Sequence, residues 1–114
     1  MDEKCIFCQI IEGQTPAQII HQDEEMVAFK DINPKAPVHI LIVPRHHIAS
    51  VSDLKEEDKE LVGQMILTGQ LLATKLGVDK VGYRLVFNTG PHAGQVIDHI
   101  HLHLLGGGPL GSIG

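Results

Sequence analysis

The chain has 114 residues, 43% of them hydrophobic, with nine basic and fourteen acidic side chains and a formal charge of −5. That length suits one domain, residues 1–114, with enough chain to bury a core of its own. The negative charge and an aromatic content of 4% leave no basic, stacking-rich surface for a polymeric nucleic acid, and no apolar stretch approaches the about 18 residues of a membrane span.

The opening MDEKCIFCQII places charges of both signs before a short apolar run, without the layout of a signal peptide, and the expectation is a cytoplasmic protein. Cys5 and Cys8 stand in a Cys-x-x-Cys spacing. Without an export signal, such a pair reads as a metal clip or a redox pair rather than a structural disulfide. A redox pair wants a strand before it, and none precedes Cys5, so metal is the better reading. Residues 6–12 form a short helix stopped by Gly13.

Residues 18–21, 26–30 and 38–43 follow with strand character. Asp23-Glu24 suits a hairpin between the first two, although no glycine marks it. The segment 31–37, with Asn33-Pro34 and Pro37, is an ordered connection rather than strand. Residues 53–76 carry Leu54, Leu61, Val62, Met65, Leu72 and Leu76 at helical spacing. Asp53 followed by Glu56 resembles a capping box, and Gly77 supplies a stop. Residues 83–88 and 99–105 are two more strands, joined by a loop holding Gly90 and Gly94. The order of elements predicts an α+β domain: a five-stranded, mainly antiparallel sheet with one long helix and a short N-terminal helix.

In the last strand His99, His101 and His103 alternate with Ile100, Leu102 and Leu104. Side chains two apart share a face, so the three imidazoles point one way and the apolar residues the other. A merely wet strand face would mix Thr, Lys, Glu and Ser. One ion held by all three is also a poor fit, because the outer pair stands about 13 Å apart on an extended strand. Separate duties suit the spacing better, since histidine serves as nucleophile, proton donor or metal ligand. The glycine loop just before the strand offers backbone N–H groups to an anion, and together with the imidazoles it points to phosphoryl chemistry.

These residues resemble the histidine triad family, in its branch of nucleotide-binding proteins that act as nucleoside phosphoramidate hydrolases. The resemblance is carried by Cys5-Ile6-Phe7-Cys8, Phe29-Lys30-Asp31-Ile32-Asn33-Pro34, Ala36-Pro37-Val38-His39 and Val43-Pro44-Arg45-His46-His47-Ile48. It continues through Asn88, Gly94-Gln95 and His99-Ile100-His101-Leu102-His103-Leu104-Leu105. It implies a homodimer whose sheets join into one, with the long helix at the interface. It implies His101 as the nucleophile on the α-phosphorus of a purine nucleoside 5′-phosphoramidate, with a nucleotidyl-histidine intermediate and release of nucleoside monophosphate. His39 and His103 would line the phosphate, Asn88 would assist, and the backbone of Gly94, Gln95 and Val96 would offer N–H donors.

By the same resemblance Asp31 would take the ribose hydroxyls and Ile32 would cover the base. From the residues alone, Asp31 and Asn88 read as turn formers. Cys5, Cys8, His47 and His99 match a closed, structural zinc site of bacterial members. Its removal should harm stability more than chemistry. Val96 stands where many relatives carry a hydroxyl residue, Asp98 replaces the usual aromatic, and the tail from Gly106 lacks a Trp-containing ending, so the leaving-group preference is open. Two other functions fit the same pocket: a nucleotide-binding regulatory module and a diadenosine polyphosphate hydrolase.

Overall fold

A computed structural model describes residues 5–113. The charged opening, residues 1–4, and Gly114 lie outside the described residues. The elements in chain order are α1 (Ile6–Ile11), β1 (Ile19–Gln22), β2 (Met26–Lys30), β3 (Val38–Pro44), α2 (Lys59–Lys75), β4 (Tyr83–Val86) and β5 (Leu102–Gly106). The strands form one antiparallel sheet in the order β1-β2-β3-β5-β4, which is the α+β architecture the sequence predicts.

Alternation divides the sheet's side chains between two layers. Met26, Ala28, Ile40, Ile42, Leu102 and Leu104 face α2, where Met65, Leu72 and Ala73 are buried against them. With Thr68 and Gly69, those positions stand three, four, seven and eight residues after Met65, the spacing of one helix face. Gly69 sits on that face, where an added Cβ would come within 2.9 Å of Leu85 Cδ2, so the missing side chain lets α2 close on the sheet. On the opposite layer Val27, Phe29, Leu41 and Val43 pack under Cys5, Phe7, Cys8 and Ile10 of α1 and its cap. Both faces are covered at the centre, which is why β2 and β3 read as nearly continuous apolar runs.

The β1–β2 turn needs no glycine because Asp23 closes it. Its Oδ1 accepts the N–H groups of Glu25 and Met26 at 2.8 and 2.9 Å, an Asx turn in which the side chain imitates a backbone carbonyl.

Three boundaries differ by two residues or more from those read in the sequence. The helix predicted from Asp53 begins at Lys59, preceded by 3-10 turns at Val51–Asp53 and Glu56–Asp58. Local side-chain bonds intercept the backbone there: Ser50 accepts the Ser52 N–H and donates to Asp53, while Asp58 accepts the Lys55 N–H at 2.8 Å. Short polar side chains competing in this way hold a chain out of a continuous helix. Asp53 and Glu56 are therefore not the capping pair.

The strand predicted over 83–88 ends at Val86, and the strand predicted over 99–105 begins only at Leu102. The second shift has a clear cause. The β3–β5 register runs from Val38 opposite Gly106 to Ile42 opposite Leu102, and its continuation would set Pro44 against Ile100. Proline has no N–H to donate to a ladder. The Ile100 N–H goes to Ile48 O at 2.6 Å instead, so His99, Ile100 and His101 lie before the ladder.

Asp58→Ala should destabilise the fold by about 1 kcal/mol through loss of its bond to Lys55, whereas Glu56→Ala should stay within about 0.5 kcal/mol. Urea denaturation of the two variants checks this; a larger cost for Glu56→Ala would restore the box read from the sequence.

Candidate functional site

The imidazoles gather on the α1 face of the sheet, and their backbone partners fix which nitrogen of each carries a proton. His99 is fully buried; its Nε2–H donates to Pro44 O at 2.8 Å, leaving the Nδ1 lone pair free. That Nδ1 lies 3.3 Å from Cys5 Sγ and 3.5 Å from Cys8 Sγ, and His47 Nδ1 lies 3.3 Å from Cys8 Sγ. A tetrahedral ion with two sulfur and two nitrogen ligands would set each sulfur about 3.5 Å from each nitrogen. All four ligand atoms lie within 4.8 Å of one another. The Cys8 N–H also donates to Cys5 Sγ at 3.3 Å, a bond that favours a thiolate. The donor set and tautomer thus suit a tetrahedral metal ion, with the Pro44 carbonyl orienting the His99 ring from behind.

His101 has the opposite tautomer. Its Nδ1–H donates to the carbonyl of His99 at 2.7 Å, so Nε2 keeps its lone pair. Phe7 of α1 meets the ring edge-on, with centroids 5.0 Å apart. Burial pushes the pKa of His101 below the ordinary histidine value, and Asp31 and the bond to His99 oppose that shift. The ring is neutral near pH 7 and its free nitrogen is basic, the state a nucleophile needs.

The third cluster joins His103, His39 and Asp31. The Lys35 N–H donates to His39 Nδ1 at 3.0 Å, which places the His39 proton on Nε2. From there it donates to His103 Nδ1 at 2.9 Å, with Asp31 Oδ2 at 3.4 Å. His103 in turn carries its proton on Nε2, and its ring stands 4.9 Å from that of His101. The ligand atoms of Asp31, His39 and His103 are also close enough for an ion. The Lys35 amide argues against one, because a metal would need the lone pair on the nitrogen that carries the His39 proton. The arrangement is a hydrogen-bonded path ending beside His101.

A cleft of ≈ 700 Å³ opens beside this path, lined among others by Asp31, Lys35, His39, Asn88, Gly94, Val96 and His103. Asn88 is anchored by its Nδ2–H to Ala93 O at 2.8 Å. Asp31 spends Oδ1 on the Asn33 N–H, so the turn role read from the sequence holds for one oxygen while the other faces His39. Ile32 is 87% exposed and lies outside the residues lining the cleft. Gly94 and Gln95 do not offer free amides, since their N–H groups donate to Pro91 O and Gly90 O, each at 3.1 Å. The Lys35 and Pro44 backbone groups, which set two tautomers, were missed in the sequence; the prolines around them are the only trace it carries. His46 and His92 are surface residues, and His21 pairs with Asp23 on β1.

A family model described as "Scavenger mRNA decapping enzyme C-term binding" matches residues 4–108. The purine nucleoside phosphoramidase of Escherichia coli (strain K12) is 46% identical over 111 residues, covering 97% of this chain and 93% of the relative. An uncharacterized HIT-like protein of Buchnera aphidicola is 48% identical, covering 95% of this chain and 96% of its own. The crystal structure of a HIT family hydrolase from Legionella pneumophila Philadelphia 1 superposes with a TM-score of 0.92 at 44% identity, covering 93% of this chain and 95% of the other. A histidine triad protein from Clostridium difficile superposes with a TM-score of 0.96 at 34% identity, over 100% and 99%.

The chain belongs to the histidine triad family. Its three triad imidazoles keep separate company: His99 with two thiols, His101 with a backbone carbonyl, His103 with another imidazole. No helix among the described residues is long and apolar enough to cross a membrane.

Burial pushes His103 down to about 4, and it lowers His39 as well. An unfolded chain takes up these protons near pH 6.5, but the folded protein keeps His103 neutral until about 4. Protonation in that window favours the unfolded chain, so stability is complete above about pH 6.5 and falls as pH drops towards 4. Urea midpoints measured across that range should decline, and less steeply in His103→Asn, whose side chain does not titrate; equal slopes would contradict the assignment.

Proposed function

We propose that this chain hydrolyses purine nucleoside 5′-phosphoramidates, with His101 as nucleophile. The observation that carries the reading is the His101 tautomer: the His99 carbonyl holds Nδ1–H and leaves Nε2 able to attack phosphorus. The 46% identity to a purine nucleoside phosphoramidase supports the substrate class.

In the proposed reaction His101 Nε2 bonds to the α-phosphorus as the phosphorus–nitrogen bond to the amine breaks. The departing amine takes its proton from solvent, while the neutral His103 Nε2–H donates a hydrogen bond beside His101. Water then attacks the nucleotidyl-His101, the bond to His101 breaks and returns the lone pair to Nε2, the nucleoside monophosphate leaves, and the proton released by water returns to solvent. Two displacements with a well-placed nucleophile replace one slow attack by water. Asp31 is assigned the ribose hydroxyls through its second oxygen, Ile32 the base, Asn88 and the Val96 N–H the phosphate.

For the cluster of Cys5, Cys8, His47 and His99 we propose zinc, since two thiolates and two imidazoles are its preferred closed set. Such an ion would fasten α1 and its Phe7 to the segment bearing His101, and it would take no part in the displacement. The chain is further proposed to act as a homodimer. Ile66, Leu67 and Leu71 are 44%, 54% and 44% exposed on α2, and β4 is an edge strand. A partner that continues the sheet across β4 would cover both.

Incubation with adenosine 5′-phosphoramidate should release AMP, and His101→Ala should lower turnover by about three orders of magnitude or more while keeping AMP affinity within about threefold. No AMP from the unaltered protein at micromolar concentration would overturn the enzyme; a cellular role that survives His101→Ala would favour the nucleotide-binding module. Elemental analysis should find about one zinc per chain, lost when Cys5 and Cys8 are both replaced by Ser, with a fall in melting temperature larger than the fall in turnover. Full zinc content in that double variant would refute the ligand set.

A further inference from the structure

The loop before the histidines is tied to the rest of the molecule by one side chain. Gly90 and Gly94 give it its shape, with φ of 81° and 86° that only glycine adopts freely. Gln95 gives it its place. Its Oε1 accepts the Gly90 N–H at 2.9 Å, and its Nε2 donates to Ala49 O at 2.8 Å and Ile97 O at 3.1 Å. A side-chain amide has two N–H donors, so Gln95 has none left for a ligand. The bond to Ile97 closes across Val96. The bond to Ala49 reaches the segment after β3, where Ile48 O holds Ile100 and His47 joins the thiol cluster.

The amides of Gly94 and Gln95 are spent within the loop. Among the described residues the Val96 N–H has no hydrogen-bond partner, and Val96 lines the same cleft as His103 and Asn88. A single backbone donor can serve a phosphate well only if its peptide is held still, because a charge-assisted hydrogen bond loses strength steeply with misalignment. Bonds on both sides of Val96 provide that restraint. We propose that the Gln95 side chain is a positioning residue that fixes the Val96 N–H against the phosphate of a bound nucleotide. This deepens the phosphoramidate reading and rests on it.

A merely structural role would weaken every ligand alike, whereas this one weakens only what bears a phosphate. Gln95→Met keeps the side-chain length and removes all three bonds; Gln95→Glu keeps an acceptor for Gly90 and loses both donors. In calorimetric titrations both variants should bind AMP about tenfold or more weakly than the unaltered protein, with adenosine affinity within about twofold. In the unaltered protein the Val96 amide resonance should move on titration with AMP and stay in place with adenosine. An unchanged AMP-to-adenosine ratio in a folded variant overturns the proposal, and a Val96 amide that ignores AMP in the unaltered protein overturns it even if neither variant folds. If the unaltered protein binds AMP and either result follows, only this inference fails; if it does not bind AMP, the phosphoramidate reading fails with it.

Discussion

Pro44 is the point on which the candidate site turns. Its missing N–H stops the β3–β5 ladder after Ile42 and Leu102, and its carbonyl, with no ladder partner opposite, accepts the His99 Nε2–H. The chain from His99 to His101 is thereby free of the sheet's hydrogen-bond pattern. The carbonyl of His99 can then accept from the His101 ring two residues on, a bond an interior ladder strand would have used for its neighbour. One residue that cannot donate thus determines the tautomer of the first imidazole and, through it, of the second.

Burial makes those tautomers consequential. His99 and His101 sit beneath α1 with Phe7 edge-on to both rings, where an unpaired polar nitrogen would cost about 1–3 kcal/mol. Among the described residues no buried side-chain nitrogen or oxygen lacks a partner. Each ring nitrogen away from the pocket is engaged by backbone, thiol or imidazole, so the exposed function of each ring is what remains. The helix that buries them is only Ile6–Ile11, too short to be stable from its own hydrogen bonds. It depends on the packing of Phe7 and Ile10 and on whatever joins Cys5 and Cys8 to His47 and His99.

The sequence was legible wherever one element's own pattern sufficed. The apolar run in 26–30 located β2 to the residue, and the one after Pro37 located β3. It failed where the outcome depended on a partner. Ser50, Asp53 and Asp58 look like helix-start residues, and only the structure reveals that Ser50 and Asp53 close one turn, Asp58 closes another on Lys55, and α2 is delayed to Lys59. The strand start at Leu102 depends on which residue faces Ile100, a matter of register that no local pattern carries. The family resemblance implies N–H donors at Gly94, Gln95 and Val96; the loop folds the first two amides inward. The histidines were legible as a group because their spacing is unusual, but their individual surroundings come from Cys5, Cys8, Pro44 and Lys35, far away in the chain.

The two clusters that could each hold an ion differ in the direction of one backbone hydrogen bond. Behind His99 stands a carbonyl, which takes a proton and leaves a lone pair facing Cys5 and Cys8. Behind His39 stands the Lys35 N–H, which takes the lone pair and leaves a proton facing His103. A neutral imidazole has one of each, so whichever the backbone consumes, the ring presents the other. Ligand for a cation in one case, proton donor in the other, follows from residue types that are the same and burial that is comparable. Reversing the assignment would cost a broken backbone bond in a buried setting, about 1–3 kcal/mol, enough to keep the two clusters in their separate chemistries at the distance of a few side chains.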